Sequence, residues 1–288
     1  MFPEFLSFSI RQPVNDFVTM LVRDYGQGFR AFSNLVLQFL LIIENLLRGT
    51  AWWLIIALLM LLAFLGTRNF LITIMVGILL FVVGILGLWD QMMQTLALML
   101  MATLISVVIG IPLGILAAKC TLSRRIIMPI LDVMQTMPSF VYLIPALMLF
   151  GLGKVPAVLA TIVYAVPPLI RLTDLGIRQV DREVMEAAIA FGGSPRQILF
   201  GTELPLALPT IMAGLNQTIM MALSMVVVAS MIGARGLGET VLNGIQTLNV
   251  GMGLEAGLGI VILAIVLDRI TQGFGRQGKV NIKQDHVS

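Results

Sequence analysis

Hydrophobic residues fill 58% of the 288 positions and charged residues only 11%, which is too little polar surface to enclose a water-soluble domain of this length. The net charge is +3, but the Lys and Arg residues stand in short breaks between apolar runs rather than on one basic face, which excludes nucleic acid as the partner. A single cysteine, Cys120, and a single histidine, His286, exclude an internal disulfide, a His/Cys metal site and a Ser/His/Asp or Cys/His catalytic set.

The composition describes an all-α polytopic membrane protein whose solvent is mostly lipid. Residues 1–50 open it. Glu4, Asp16, Asp24 and several arginines occupy the first thirty positions without a compact apolar segment and a cleavage site, so no cleavable signal is read. From Ala31 to Arg48 the residues Asn34, Gln38, Asn45 and Arg48 recur at helical spacing and draw a polar stripe. This predicts an interfacial amphipathic helix, with burial of Gln38 and Asn45 between packed helices as the alternative.

Residues 51–92 hold two spans, near 51–66 and 70–89, with Trp52, Trp53 and Trp89 as interfacial anchors. Residues 93–272 hold five more, near 93–118, 126–151, 155–172, 206–232 and 253–271, giving about seven in all. Pro112, Pro145, Pro167, Pro168 and Pro209 fall inside these runs and are expected to break or bend them, which is more typical of a gated pathway than of a passive anchor, with bends in an ordinary packed bundle as the alternative. The region Met231–Met252 is too polar to span and reads as an external loop with a short helix around Glu239–Ile245. Its glycines lack dinucleotide spacing, because Val241 stands where the third would be. Lys119, Arg124 and Arg125, then Arg171, Arg178, Arg182 and Arg196, then Arg269, Arg276, Lys279 and Lys283 mark cytoplasmic segments, the last group belonging to a cytoplasmic tail at 273–288. Seven spans would leave the amino end outside, against which the N-terminal arginines argue.

The loop 174–205 divides into two short helices. Asp181 caps the first, with Glu183 in its first turn and Val180 and Met185 as a hydrophobic staple. Gly192 and Gly193 supply the break, and Ser194, Pro195 and Gln197 form the capped start of the second, which Pro205 is expected to close. A protruding helix-turn-helix suits docking, and equally suits a plain connector.

Glu186-Ala187-Ala188, Gly192 after three intervening residues, and Leu204-Pro205 resemble the EAA motif of bacterial ATP-binding-cassette importer permeases, with Thr202 where Ile is usual. MQTMPSFVYLIPALMLFGLGKVPAVLATIVYAVPPLIRLTDLGIRQV, SPRQILF, LPLALPTIMAGLNQTIMMALSMVVVASMIG and GIVILAIVLDR resemble the permease subunit of glycine betaine/proline/choline-type importers, over roughly residues 90–270. The resemblance implies a type I importer permease fold with a five-helix core, the two spans of residues 51–92 as scaffold, and an ATPase-coupling loop in which Glu186, Ala187, Ala188, Gly192, Leu204 and Pro205 lie at or beside the contact. It also implies a homodimer in the bacterial cytoplasmic (inner) membrane, two ATPase subunits inside carrying ATP and Mg2+, and an extracytoplasmic substrate-binding protein. This chain itself is not expected to be an enzyme or to bind a cofactor: Gly153-Lys154 and Gly278-Lys279 are both followed by Val, so it has no phosphate-binding loop.

An ion-coupled secondary transporter is the rival reading. Such machines place ionisable groups at the bilayer midplane, whereas Asp90, Asp132, Asp174, Glu255 and Asp268 fall near the ends of spans. For a quaternary ammonium, the aromatic faces of Phe140, Tyr142 and Tyr164 are pathway candidates, with ordinary packing as the other reading. On the cation-π reading Tyr142→Phe should be nearly silent. Asn216, Gln217 and Thr218 either line the pathway or hydrogen-bond between helices.

Overall fold

The computed structural model describes residues 11–285; Glu4 and His286 lie outside them. Among the described residues the chain is helices and short turns, without a strand. In order they are α1 (Arg11–Gly49), α2 (Trp52–Thr67), α3 (Phe70–Ile85), α4 (Trp89–Lys119), α5 (Thr121–Thr136), α6 (Ser139–Phe150), α7 (Lys154–Arg178), α8 (Arg182–Ala190), α9 (Pro195–Ile198), a π turn (Leu199–Glu203), α10 (Leu204–Ala229), α11 (Leu237–Gln246) and α12 (Val250–Asp285).

Five stretches are long and apolar enough to cross a membrane: α1, α4, α7, the run Pro195–Ala229 and α12. The bent pair α5 and α6 makes a sixth if taken as one span. At 16 residues each, α2 and α3 reach only about 24 Å, short of a hydrocarbon layer of about 30 Å.

Helix α7 is the hub, packed against α4 on one side and α10 on the other. In lipid there is no hydrophobic drive to bring helices together, so close backbone approach must do so. A Cβ on Gly114 of α4 would lie 2.5 Å from Thr173 Cβ, and one on Gly214 of α10 would lie 2.9 Å from Leu172 Cβ. Both contacts exist only because the side chain is hydrogen. Helix α2 packs on α12.

Several expectations are corrected. The helix expected over 31–48 begins at Arg11, and its buried face is Val36, Leu40 and Glu44, four residues apart, while Asn34, Gln38 and Asn45 are exposed. Helix α12 starts at Val250 and continues to Asp285, so the tail expected from 273 is helical through that point. The short helix expected near 239–245 is α11, slightly longer at both ends.

The span expected at 126–151 is two helices bent by 100°. Met137 is extended (φ −73°, ψ 135°) because the ring of Pro138 disfavours a helical residue before it. The prolines expected to break or bend helices do not break them: Pro112, Pro145, Pro167, Pro168 and Pro209 all lie inside continuous helices.

Candidate coupling loop and translocation face

The loop follows its local chemistry closely. Asp181 Oδ1 accepts the Glu183 N–H at 2.9 Å, starting α8. The end of α8 is closed by N–H groups of Phe191, Gly192 and Gly193 donating to the carbonyls of Ala187, Ile189 and Ala188. Gly192 sits at φ +79° with open space around it, so its requirement is conformational. Gly193 is needed for a different reason: a Cβ there would lie 2.9 Å from the Ala188 carbonyl oxygen. Ser194 and Gln197 then form a reciprocal capping box.

Glu186 and Ala187 are exposed on α8, Ala188 is half-buried beside them, and Gly192 is exposed at the turn, so the four are presented together on one protrusion. Leu204 and Pro205 stand apart from it in the first turn of α10. Pro205 does not end the second helix. The path runs on through the π turn, where the Leu204 N–H reaches back to the Leu199 carbonyl, and the wider turn accommodates the proline ring.

Three apolar side chains passed over in the sequence stand out here: Ile189, Phe191 and Phe200 are 60%, 92% and 67% exposed. Their only signal was large apolar character inside a polar loop.

At the base of the loop three ion pairs join different elements. Arg124 Nε of α5 meets Asp174 Oδ2 of α7 at 3.2 Å, Arg171 of α7 meets Asp132 of α5, and Lys119 at the end of α4 meets Glu203 of the π turn. Asp174 and Glu203 are buried, while the cations are half-exposed.

Of the aromatic candidates, the structure pairs Tyr142 of α6 with Tyr164 of α7, ring centroids 6.2 Å apart and tilted by 60°. The Tyr142 hydroxyl donates to the Met134 carbonyl on α5. In an unbroken helix that carbonyl would accept from residue 138, but Pro138 has no N–H. Tyr142 thus supplies the missing donor across the bend. Phe140, two residues earlier, points about 200° around the helix and is 54% exposed.

Asn216 is committed between helices: its Nδ2 donates to Asp268 Oδ1 of α12 at 3.1 Å, and its Oδ1 accepts from Thr271. Thr218 is fully buried and Gln217 exposed, so the three adjacent residues serve three environments.

A further charged set escaped the sequence reading. Glu44, buried on α1, accepts from Lys154 Nζ of α7 at 2.6 Å, while Arg48 pairs with Asp90 at the start of α4. Its signal was the Glu44–Arg48 spacing of four on the face that also carries Leu40. These pairs bring the end of α1 and the starts of α4 and α7 to one end of the bundle, opposite Lys119 and the loop.

The binding-protein-dependent transport system inner membrane component family matches residues 110–277. The chain belongs to that family. It is 58% identical over 197 residues to the glycine betaine/proline betaine transport system permease protein ProW of Escherichia coli, a match covering 68% of this chain and 56% of that protein. It thus spans little more than half the length of that relative. Against the glycine betaine transport system permease protein OpuAB of Bacillus subtilis it is 47% identical over 266 residues, covering 89% of this chain and 90% of the other. Among solved structures, an inward-facing conformation of the MetNI methionine ABC transporter aligns with TM-score 0.60 and 23% identity, over 66% of this chain and 95% of that one. The type I importer fold is therefore shared, and the chain is a multi-pass protein of the bacterial inner membrane.

Proposed function

We propose that this chain is the membrane-spanning subunit of an ATP-driven importer that moves glycine betaine or a related quaternary-ammonium or proline-type osmolyte into the cell by alternating access. The observation that carries the reading is the protruding loop. Two capped helices hinged at Gly192 hold Phe191 and Ile189 in the open, where an apolar patch calls for a partner. The partner is an ATPase subunit, and Glu186, Ala187, Ala188 and Gly192 lie in the contact. The assembly is two copies of this chain, two ATPases holding ATP and Mg2+, and an external substrate-binding protein. The loop and the C-terminus face the cytoplasm. Residues 93–272 form the transport core, with α1 to α3 as scaffold. The ion-coupled rival draws no support from the family match.

Nucleotide-driven closure of the ATPase pair would displace the loops and turn the cavity between protomers outward. The test is reconstitution in liposomes with the cognate ATPase and binding protein. Uptake of glycine betaine should require ATP inside and binding protein outside, with choline and proline as competitors. The subunit alone should neither hydrolyse ATP nor accumulate substrate. Gradient-driven uptake by the isolated subunit would overturn the assignment.

A further inference from the structure

The loop joins the bundle at two places: directly after α7, through residues 179–181, and before α10, through the π turn Leu199–Glu203. The second stem is closed by an i→i+5 hydrogen bond from Leu204 to Leu199, a wider turn than that of an α-helix, and the following residue, Pro205, adds no backbone donor. On that side a push on α9 meets the π turn before it reaches α10. Yet Glu203, the last residue of the turn, is 4% exposed and its carboxylate is held by Lys119, which lies 84 residues earlier at the end of α4. Lys119 closes a 31-residue helix that runs to the opposite end of the bundle, where Asp90 in its first turn pairs with Arg48. The pair therefore joins the π turn to a long helix in contact with the hub α7.

We infer that Glu203 and Lys119 are positioning residues that carry coupling-loop movement past the π turn into α4, staying paired as they do so. The inference rests on the importer reading above. One feature distinguishes this pair from its neighbours. Arg124–Asp174 and Arg171–Asp132 tie α5 to α7, with Asp174 on the side where the loop leaves α7, whereas Lys119–Glu203 alone among the described ion pairs reaches the stem that leads into α10. As in Arg124–Asp174, the carboxylate is buried and the cation half-exposed, so neutralising either Glu203 or Lys119 leaves the partner's charge without its counterion but removes little packed volume.

The experiment uses the complete complex in liposomes and reads the ATP hydrolysed per solute imported. Glu203→Gln and Lys119→Gln should each raise that ratio at least about threefold while the ATPase still co-purifies, a change that simple loss of stability would not produce. The reversed pair Lys119→Glu with Glu203→Lys should return the ratio to within about twofold of wild type. In a Cys120→Ser background, Lys119→Cys and Glu203→Cys joined by a short thiol-specific linker should keep at least half of the transport rate. Wild-type ratios in both neutral variants, a reversed pair no better than the single variants, or arrest by the linker would each overturn the inference while leaving the importer reading intact. If the wild-type complex showed no ATP-driven uptake, the importer reading would fall first and this with it.

Discussion

Replacing Tyr142 by Phe removes one oxygen atom, and the bend between α5 and α6 makes that atom consequential. The hydroxyl serves the Met134 carbonyl, which Pro138 leaves without a backbone donor. In a water-poor bundle an unserved carbonyl costs about 1–3 kcal/mol. Tyr142→Ala should lose that and the ring contact with Tyr164, a further ~0.5–1.5 kcal/mol, as well as the packing of a half-buried ring. The assay is reversible unfolding of the purified permease in mixed micelles, followed by tryptophan fluorescence, with Pro138→Ala as the second arm of a double-mutant cycle. Alanine in place of Pro138 brings back an N–H and permits the helix to continue, so Tyr142→Phe should cost less in that background, with a coupling of about 1 kcal/mol. Transport should fall in Tyr142→Phe along with stability, which replaces the near-silent outcome expected from a cation-π role alone. A Tyr142→Phe variant within about 0.3 kcal/mol of wild type, or an equal loss in both backgrounds, would refute the bridging role.

Gly192→Val should uncouple ATP hydrolysis from uptake while insertion persists, because φ +79° costs a β-branched residue about 1–3 kcal/mol; Gly192→Asn, which tolerates that conformation, should retain most coupling, and equal behaviour of the two variants would count against a backbone cause. Lys154→Met leaves buried Glu44 facing only the more distant Arg48 and should destabilise the permease by about 3 kcal/mol, while adding Glu44→Leu should recover a large part in the same unfolding assay. Hydrogen bonds from the Ser123 side chain and from backbone groups hold the Cys120 thiol below the ordinary thiol range. Since the thiolate is the reactive form, maleimide labelling should persist to lower pH than for a free cysteine and move upward in Ser123→Ala. An impermeant reagent should reach Cys120 only from the loop side, and labelling from the opposite side would reverse the proposed orientation.

The loop 174–205 was legible in the sequence because its structure is local. Asp181, Ser194 and Gln197 bond within three residues of themselves, and Gly192 answers a backbone angle, so spacing alone specified the two helices and their turn. Its exposed anchors were not singled out, since the exposure of Phe191 depends on what the rest of the chain leaves uncovered. Proline positions illustrate the same division. The sequence marks every proline alike, but Pro167 and Pro168 are carried inside a hub helix packed from both sides, whereas Pro138 has Tyr142 placed to serve the carbonyl it orphans, and only there does the path turn by 100°. Amphipathic periodicity identified the polar stripe on α1, and the Glu44–Arg48 spacing marked its buried face, yet the Lys154 partner of Glu44 stands 110 residues away. Composition and helix chemistry by themselves determined that this is a helical membrane protein with a capped helix-turn-helix loop, because those properties depend on residues near in sequence and on the solvent they suit. The hub at α7, the broken span and the ion pairs from Lys119 and Lys154 were decided by tertiary structure alone, because each requires groups distant in sequence to approach within a few ångströms, and no local pattern encodes that approach.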